Sequence, residues 1–414
     1  MAVKIVRQAN SIALLGVPTS AAAMSAGHEA APAALRSAGL IDRLKLIGYE
    51  VTDLGDDPPR LFEPDEESPR ARNLVSVIAA LETLKPRVEQ AVKSAALPLI
   101  IGGDCSIALA VVAGARRYYR NVGLIYVDRH ADLNTPATTP SGCLDGMVVS
   151  HLTGRGAAEL VRFWGEPPLV REPDLALFGV DRLDPSEEEV LHRVPLRRYM
   201  AADVKGMGAA VAAREAIERV HGNAHEFVLH FDVDVISDFS ATNYPAGGGL
   251  TLEEVHEALV IFAQEKNLAA IEVTAYNPAK DPNGSGAKIV IDLLAAMLEQ
   301  RLAARRSAAQ AAEPMSVASD GRAATRKDDA ETESMTQTAA GTATGSKSAR
   351  QIPAAEPGEA WSSDSLDGEP AQEESEHQEP TPERSAPGEQ GSSGENSSSG
   401  DKPTEHSEFG ESQN

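Results

Sequence analysis

The feature that most constrains this chain is the alternation of short apolar runs with longer helical stretches through residues 1–302. The apolar runs have the length of β-strands, and between them the apolar residues recur near helical spacing. One such stretch begins with Thr251 and has Glu254 three residues later, a pattern that predicts a capping box. Strands that alternate with helices form parallel sheets covered by helices on both faces, so the sequence predicts an α/β fold. The predicted strands are SIALLGVP, YEVTDLGD, LPLIIGGD, VGLIYVD, LALFGVD, EFVLHFDVD and LAAIEVTAYNP.

The composition changes near residue 303. From there to residue 414 the chain consists mainly of Ala, Ser, Thr, Glu, Gly, Pro and Gln, and about 13 of the 24 net negative charges lie in this segment. Such a composition cannot bury enough apolar surface to offset the loss of chain entropy. We therefore expect a folded domain over 1–302 and a low-complexity, acidic, disordered tail over 303–414.

Charge and composition disfavour several classes of partner. The predicted domain is mildly acidic and has no basic stripe to neutralise phosphates, so we expect no nucleic-acid partner. The N-terminal residues lack the pattern of a secretory signal and no apolar run reaches 18 residues, so we expect no membrane association. The two cysteines cannot form a disulfide framework, which fits a reducing compartment. These features together predict a cytoplasmic protein.

Polar residues follow three of the predicted strands. In a parallel sheet the carboxyl ends of the strands meet at one edge, where ligands bind. Side chains alternate along a strand, so Asp128 and His130 should share a face, and so should Asp232 and Asp234. The strand-end residues are Asp104 and Cys105 after LPLIIGG, Asp128, His130 and Asp132 after VGLIYV, and Asp232 and Asp234 after EFVLHF.

Several carboxylates crowded beside an imidazole require a cation among them, because neighbouring carboxylates otherwise raise one another's pKa and become neutral. Oxygen and imidazole ligands suit Mn²⁺, with Fe²⁺, Co²⁺ or Zn²⁺ as alternatives. Taken alone, the string DRHAD is more typical of strand-end acids that cap helices or lie in solvated loops. The second acidic string on a separate strand, FDVD, favours a metal site.

Several strings of this sequence are similar to those of one enzyme family. GGDCS (102–106), DRHAD (128–132) and HFDVDVISD (230–238) resemble G-G-D-H-S, D-A-H-x-D and S-F-D-x-D-x-x-D-P, and GHEAAPAALRSAGL (27–40) and YNP (276–278) also match. These are strings of the arginase, agmatinase and formiminoglutamase family, the ureohydrolases, which the chain resembles over residues 10–300. The resemblance implies a three-layer α/β/α fold with about eight parallel strands. It also implies a binuclear Mn²⁺ site, hydrolysis of a guanidino or amidino C–N bond of a small molecule such as arginine, and a homo-oligomer, either a trimer or a hexamer.

The resemblance also assigns the ligands. Asp128 and Asp232 would bridge two ions, Asp132 would bind the first, and His130 and Asp234 the second. The remaining ligand of the family, the histidine of G-G-D-H-S, is Cys105 in this chain. A thiolate binds softer metals than Mn²⁺, so Cys105 is either a ligand or a small buried residue at a strand end.

Three further positions depart from the family pattern. The histidine and asparagine of S-G-N-x-H-G, with roles in proton transfer and substrate binding, correspond to Asp145 and Cys143, and the glutamate of E-V-N-P corresponds to Ala275. Asp145 can transfer protons only if burial raises its pKa. The nearest acid to Ala275 is Glu272, whose odd spacing predicts the opposite strand face and a structural or surface role.

Other residues keep two interpretations. Asp184 and Glu187 match positions that contact the substrate in arginases, but their string is equally typical of a helix cap. His28 either positions a loop or contacts the ligand, and His151 is expected to be structural. For the whole chain the main hypothesis is a hydrolase that uses a metal-activated hydroxide. The alternative is a scaffold that has lost catalysis and serves as a binding or assembly module.

Overall fold

One eight-stranded sheet organises the part of the chain that the computed structural model describes, residues 7–222, 224–245 and 247–312. Every strand pairing is parallel, and the order across the sheet is β2-β1-β3-β8-β7-β4-β5-β6. The predicted α/β class and the expected number of strands are confirmed. The strands are β1 Ser11–Val17, β2 Glu50–Asp56, β3 Leu97–Gly102, β4 Val122–Val127, β5 Leu175–Val180, β6 Arg197–Met200, β7 Glu226–Asp232 and β8 Leu268–Thr274.

Helices cover both faces of this sheet. The apolar side chains of α1, α2, α8, α9, α10 and α11 join one core cluster, and those of α3, α4, α5, α6 and α7 join a second. Along β1, Ile12 and Leu14 belong to the first cluster and Leu15 and Val17 to the second, so the sheet separates two cores as three layers require. The helices are α1 Ala31–Ser37, α2 Leu40–Leu46, α3 Leu74–Lys93, α4 Ala108–Arg116, α5 Val148–Leu152, α6 Ala158–Val161, α7 Pro185–Arg193, α8 Ala201–Met207, α9 Ala209–His221, α10 Leu252–Gln264 and α11 Ser285–Ala312.

The predicted capping box of α10 is present. Glu254 N donates to Thr251 Oγ1 at 3.2 Å, and Thr251 N donates to Glu254 Oε2 at 2.8 Å. One predicted helical stretch is interrupted, because Gly39 adopts a φ of 94° between α1 and α2. None of the described helices combines the length and the apolar character needed to cross a bilayer.

The last helix extends past the predicted end of the folded domain. Helix α11 continues to Ala312, so residues 303–312, which the composition assigns to the tail, are helical. Alanine, arginine and glutamine dominate these ten residues and favour a helix once an earlier segment has started it. The predicted acidic tail beyond residue 312 lies outside the described residues, and the division into domains stays a prediction.

The strand order brings the polar strand ends together. Strands β3, β8, β7 and β4 are consecutive in the middle of the sheet, so the segments that follow them meet at its carboxyl edge. The chain passes from β3 through α4 to β4, skipping over β8 and β7, which reach their central positions only later in the sequence. This arrangement creates the recess in which the candidate site lies.

Candidate metal centre

Among the described residues, two groups of atoms that could bind a metal ion lie at the carboxyl edge of the sheet. In each group the nitrogen, sulfur and carboxylate oxygen atoms lie within 4.8 Å of one another. Asp128 belongs to both groups, as a carboxylate that bridges two ions would. The first group is Cys105, Asp128, His230 and Asp232, and the second is Asp128, His130 and Asp234.

The carboxylates are buried and mutually repulsive. Asp128, Asp232 and Asp234 are each at most 2% exposed. Burial, followed by the charge of Asp234, raises the pKa of both Asp128 and Asp232 above the usual range of a carboxyl group. Asp234 Oδ1 has no hydrogen-bond partner among the described residues. A cluster of buried carboxylates with an unpaired oxygen fits a bound cation, which would supply the missing positive charge.

His130 lies between two of these carboxylates. Its Nδ1 lies 3.1 Å from Asp234 Oδ2 and 3.4 Å from Asp128 Oδ1, and its backbone N–H donates to Asp128 Oδ1 at 2.6 Å. Burial lowers the pKa of the imidazole, but Asp234 and Asp128 together outweigh burial and raise it to about 12. A metal ion that binds here must therefore displace a proton from His130.

Cys105 faces the same carboxylates. Its thiol donates to Asp232 Oδ2 at 2.9 Å and lies 3.3 Å from Thr274 Oγ1. Burial and then the charge of Asp232 raise the pKa of the thiol well above its usual range. Cys105 is thus buried, as expected of a small residue at a strand end. Its sulfur also lies among the candidate ligand atoms, as expected of a metal ligand.

His230 belongs to the first group, although the sequence patterns do not identify it as a candidate ligand. It lies on β7 two residues before Asp232, which places both side chains on one face. The ring Nδ1 lies 2.7 Å from Glu272 Oε1, and the ring stacks on Tyr126 with centroids 3.9 Å apart. Two features of the sequence point to His230. It is spaced two residues from Asp232, and it replaces the serine that the family string has at this position.

Glu272 has the structural one of its two predicted roles. The structure pairs His230 of β7 with Glu272 of β8, and the side chain is fully buried and not at the surface. Strand β8 ends at Thr274 and Ala275 has a φ of 66°, so the alternation of side chains along the strand does not extend to Ala275. Neither Glu272 nor Ala275 lines the cavity of about 370 Å³ that opens above the ligand groups.

Asp132 lies beside the two groups and belongs to neither. It adopts a left-handed φ of 50°, and its Oδ2 accepts a hydrogen bond from Tyr126 Oη at 2.5 Å. The carboxylate is 5% exposed and faces the cavity. Its assignment to the first ion stays a prediction.

A cavity of about 370 Å³ opens above the ligand groups. Cys105, Asp128, His130, Asp132 and Asp232 line its base. Its wall includes three predicted functional residues, Asp145, Asp184 and Glu187, together with Asn134, Arg182 and Tyr244. Cys143 is buried and does not belong to this wall, so the structure does not bring it to the site.

The two acids beside α7 have structural contacts as well as access to the cavity. Glu187 Oε2 accepts from Asp184 N at 2.8 Å, and its Oε1 accepts from Leu133 N at 2.9 Å. Asp184 Oδ2 accepts from Asn134 Nδ2 at 2.8 Å. The capping interpretation is therefore confirmed for Glu187, and the cavity leaves room for the substrate interpretation of both residues.

The two other histidines considered in the sequence, His28 and His151, lie away from the cavity wall. His151 Nε2 accepts from Ala157 N at 3.1 Å, and burial lowers the pKa of His151 to about 4, as expected of a structural residue. His28 is fully buried, its ring lies 6.1 Å from the ring of Tyr244, and burial lowers its pKa. His28 therefore packs behind the cavity.

Comparisons with known proteins agree with this geometry. The family model for the arginase family matches residues 10–299. An arginase of Bacillus caldovelox is 32% identical over 297 residues, which is 70% of this chain and 99% of that arginase. An arginase of Brevibacillus brevis is 30% identical with the same coverage of both chains.

Solved structures give the same result. The native structure of the Bacillus caldovelox arginase at pH 5.6 superposes with a TM-score of 0.64 at 31% identity, covering 70% of this chain and 98% of that one. The Entamoeba histolytica arginase in complex with L-ornithine superposes with a TM-score of 0.64 at 25% identity and the same coverage. A formimidoylglutamase of Bacillus subtilis, at 19% identity and a TM-score of 0.57, shares the fold. The chain belongs to the arginase family.

Proposed function

We propose that this protein is a metal-dependent hydrolase that cleaves the C–N bond of a small guanidino or amidino compound, such as arginine or a related molecule. The observation that carries the proposal is the pair of ligand groups that share Asp128 at the base of a cavity. The similarity to arginases over 70% of the chain supports it. We also propose a cytoplasmic homo-oligomer, on the family resemblance alone.

The residues at the base of the cavity would hold one or two divalent ions. Asp128 and Asp232 would bridge them, Cys105 and Asp132 would contact one ion, and His130 and Asp234 the other. Mn²⁺ suits the oxygen and imidazole donors, with Fe²⁺, Co²⁺ or Zn²⁺ as alternatives. When bound, such an ion lowers the pKa of water and polarises the bond to be cleaved.

The wall of the cavity would bind and orient the substrate. Asp145, Asp184 and Glu187 make the wall acidic, which favours a cationic guanidinium or amidinium group. A volume of about 370 Å³ accommodates a small molecule. Asp145 would accept a proton at Oδ2, where it already accepts a hydrogen bond from Tyr244 Oη at 2.7 Å. Because Ala275 cannot supply a carboxylate, the orienting charge would come from the wall residues.

The second candidate is a catalytically impaired scaffold that acts as a binding or assembly module. It is favoured by the replacement of three family residues with Cys105, Asp145 and Ala275. Ala275 occupies the position where the family has its guanidinium-binding glutamate. It carries no carboxylate and is fully buried.

Metal analysis followed by a substrate screen separates the two candidates. The purified protein is loaded with Mn²⁺, Fe²⁺, Co²⁺ or Zn²⁺, and bound metal is measured by elemental analysis. Release of urea or ammonia is then measured with arginine, agmatine, guanidinobutyrate and formiminoglutamate. The hydrolase requires bound metal and turnover of at least one compound, both reduced in Asp128→Asn. Failure to bind any of the four metals would support the scaffold instead.

A further inference from the structure

Four donor atoms from separate segments form a compact cluster at the ends of β3, β4 and β7. Cys105 Sγ, a nitrogen of His230 and carboxylate oxygens of Asp128 and Asp232 all lie within 4.8 Å of one another. Donors bound tetrahedrally to zinc at about 2.0–2.3 Å are separated by about 3.3–3.8 Å. The cluster is therefore close to the size of a four-coordinate site, and small side-chain movements suffice to close it around one ion.

His230 is oriented as metal-binding histidines usually are. Its Nδ1 lies 2.7 Å from Glu272 Oε1, and both side chains have no exposed surface. A carboxylate at this distance fixes the proton on Nδ1 and leaves the lone pair of Nε2 for a metal. Stacking on Tyr126, with an angle of 1° between the ring planes, holds the imidazole in this orientation.

Two substitutions relative to the family strings are complementary. The histidine of G-G-D-H-S is replaced by Cys105, and the serine of S-F-D is replaced by His230. Cys105 Sγ and Asp232 Oδ2 are 2.9 Å apart, and Asp232 and His230 share one face of β7. The cluster thus has its imidazole on β7, whereas the family string has a histidine at the end of β3.

We infer that His230 is a metal ligand together with Cys105, Asp128 and Asp232, that Glu272 is its positioning residue, and that this position binds Zn²⁺ or Co²⁺ in preference to Mn²⁺. A thiolate and an imidazole form a softer donor set than the family pattern provides. The neighbouring position, with Asp128, His130 and Asp234, has two carboxylates and one imidazole and still suits Mn²⁺. The inference rests on the metal centre of the proposed function and predicts two unlike positions within it.

Cobalt absorption spectroscopy tests the thiolate. The full-length protein, freed of metal with a chelator, is titrated with Co²⁺ under reducing conditions. We expect a near-ultraviolet band from thiolate-to-cobalt charge transfer and intense visible bands from a four-coordinate ion. Cys105→Ser should lose the near-ultraviolet band and keep visible bands. Cobalt binding to the unchanged protein without the charge-transfer band would overturn the inference.

Variants of His230 and Glu272 test whether His230 is a ligand and Glu272 its positioning residue. Glu272→Gln should weaken Co²⁺ and Zn²⁺ binding about 10- to 100-fold and shift the visible bands, and His230→Ser should weaken binding further. His221→Gln is the control, because His221 is a half-buried histidine whose ring contacts Asn267, and it should leave affinity and spectrum unchanged. Circular dichroism establishes that each variant is folded. If His230→Ser fails to fold, Glu272→Gln decides, and an unchanged affinity and spectrum in that variant would contradict the inference.

Metal competition completes the test and keeps it separate from catalysis. Dialysis against Mn²⁺ in large excess over Zn²⁺ offsets the generally higher affinity of zinc. The unchanged protein should still retain zinc, and Cys105→Ser should retain less of it relative to manganese. An equal zinc-to-manganese ratio in the two proteins would contradict the preference. A charge-transfer band without turnover of any substrate would contradict the hydrolase alone, whereas turnover without the band would contradict this inference alone.

Discussion

Tyr244 Oη donates a hydrogen bond to Asp145 Oδ2 at 2.7 Å, and the other oxygen of this carboxylate accepts from Cys105 N at 2.8 Å. Asp145 therefore connects the segment after β7 with the segment after β3 at the cavity wall. Burial, followed by the charge of Asp145, raises the pKa of Tyr244 well above its usual range. Tyr244 stays protonated at neutral pH and keeps donating to the carboxylate that replaces the histidine of the family.

This contact predicts a loss of turnover in Tyr244→Phe. Without the donor, Asp145 Oδ2 is no longer held in place to accept a proton, and we expect kcat to fall about 100-fold. Bound metal, measured by elemental analysis, should stay the same because Tyr244 belongs to neither ligand group. Tyr118→Phe, just after α4, serves as the control. An unchanged kcat in Tyr244→Phe would show that the pair does not take part in proton transfer.

The shared carboxylate predicts different metal contents in two variants. Asp128 belongs to both ligand groups, whereas Asp234 belongs to one. Asp128→Asn should therefore weaken binding at both positions, and Asp234→Asn should remove metal mainly from the position that includes His130. Elemental analysis after dialysis against limiting Mn²⁺ or Zn²⁺ measures this difference. Equal losses in the two variants would contradict the assignment of Asp128 as the bridging ligand.

His151 predicts a pH dependence of stability. Burial lowers its pKa from 6.5 to about 4, so the unfolded chain takes up a proton on this residue below about pH 6.5 while the folded chain does not. His151 therefore does not reduce the free energy of unfolding above about pH 6.5. Below that pH its burial lowers the free energy of unfolding, by about 3 kcal/mol at about pH 4. Urea denaturation of metal-free protein at about pH 7 and about pH 4.5 measures the change.

His151→Gln is the matched variant for that measurement, since glutamine does not titrate. It should lower the free energy of unfolding at neutral pH and reduce its decrease between the two pH values. His192→Gln, at an exposed position in the last turn of α7, should keep the decrease of the unchanged protein. A His151→Gln variant with the same decrease would assign the acid sensitivity to other groups.

Gly103 predicts a strong steric effect at the end of β3. A Cβ atom at this position would lie 1.8 Å from Thr19 O, and the adjacent Asp104 N donates to the same oxygen at 3.1 Å. Gly103→Ala must displace this backbone, so we expect it to lower the free energy of unfolding by about 3 kcal/mol. It should also weaken metal binding, because Cys105 follows two residues later.

Gly206→Ala is the control for this substitution. Gly206 lies in α8, and an added Cβ would meet nothing within 4 Å. Alanine is the better helix former, so Gly206→Ala should raise stability by up to about 1 kcal/mol. Urea denaturation distinguishes the opposite signs, and an equal effect of the two substitutions would show that the contact with Thr19 is not limiting.

The sequence predicted most of the sheet because its central strands are buried on both faces and appear as continuous apolar runs. Strand β6 was missed, since its four residues Arg197–Met200 include two arginines and pair with one neighbour only at the edge of the sheet. An edge strand that short carries little hydrophobic signal. The end of α11 was missed for another reason, because composition alone does not show where a helix of good formers stops.

The candidate site was predicted where its residues follow the strands and missed where they lie within them. Asp128, His130, Asp232 and Asp234 occupy strand ends, where charged residues are easily noticed. His230 lies inside an apolar run, and its partner Glu272 is 42 residues away in the sequence. Only the register between β7 and β8 brings the two together, and a single sequence contains no direct record of that register.

The central position of β8 in the sheet has a consequence for biosynthesis. Cys105 comes early in the chain, whereas Glu272 and Thr274 belong to the last of the described strands and insert between strands that the ribosome has already released. A truncated product that stops before residue 268 would leave His230 without its carboxylate and the thiol without its hydroxyl neighbour. The proposed metal ligands would then reach their final arrangement only after β8 has joined the sheet.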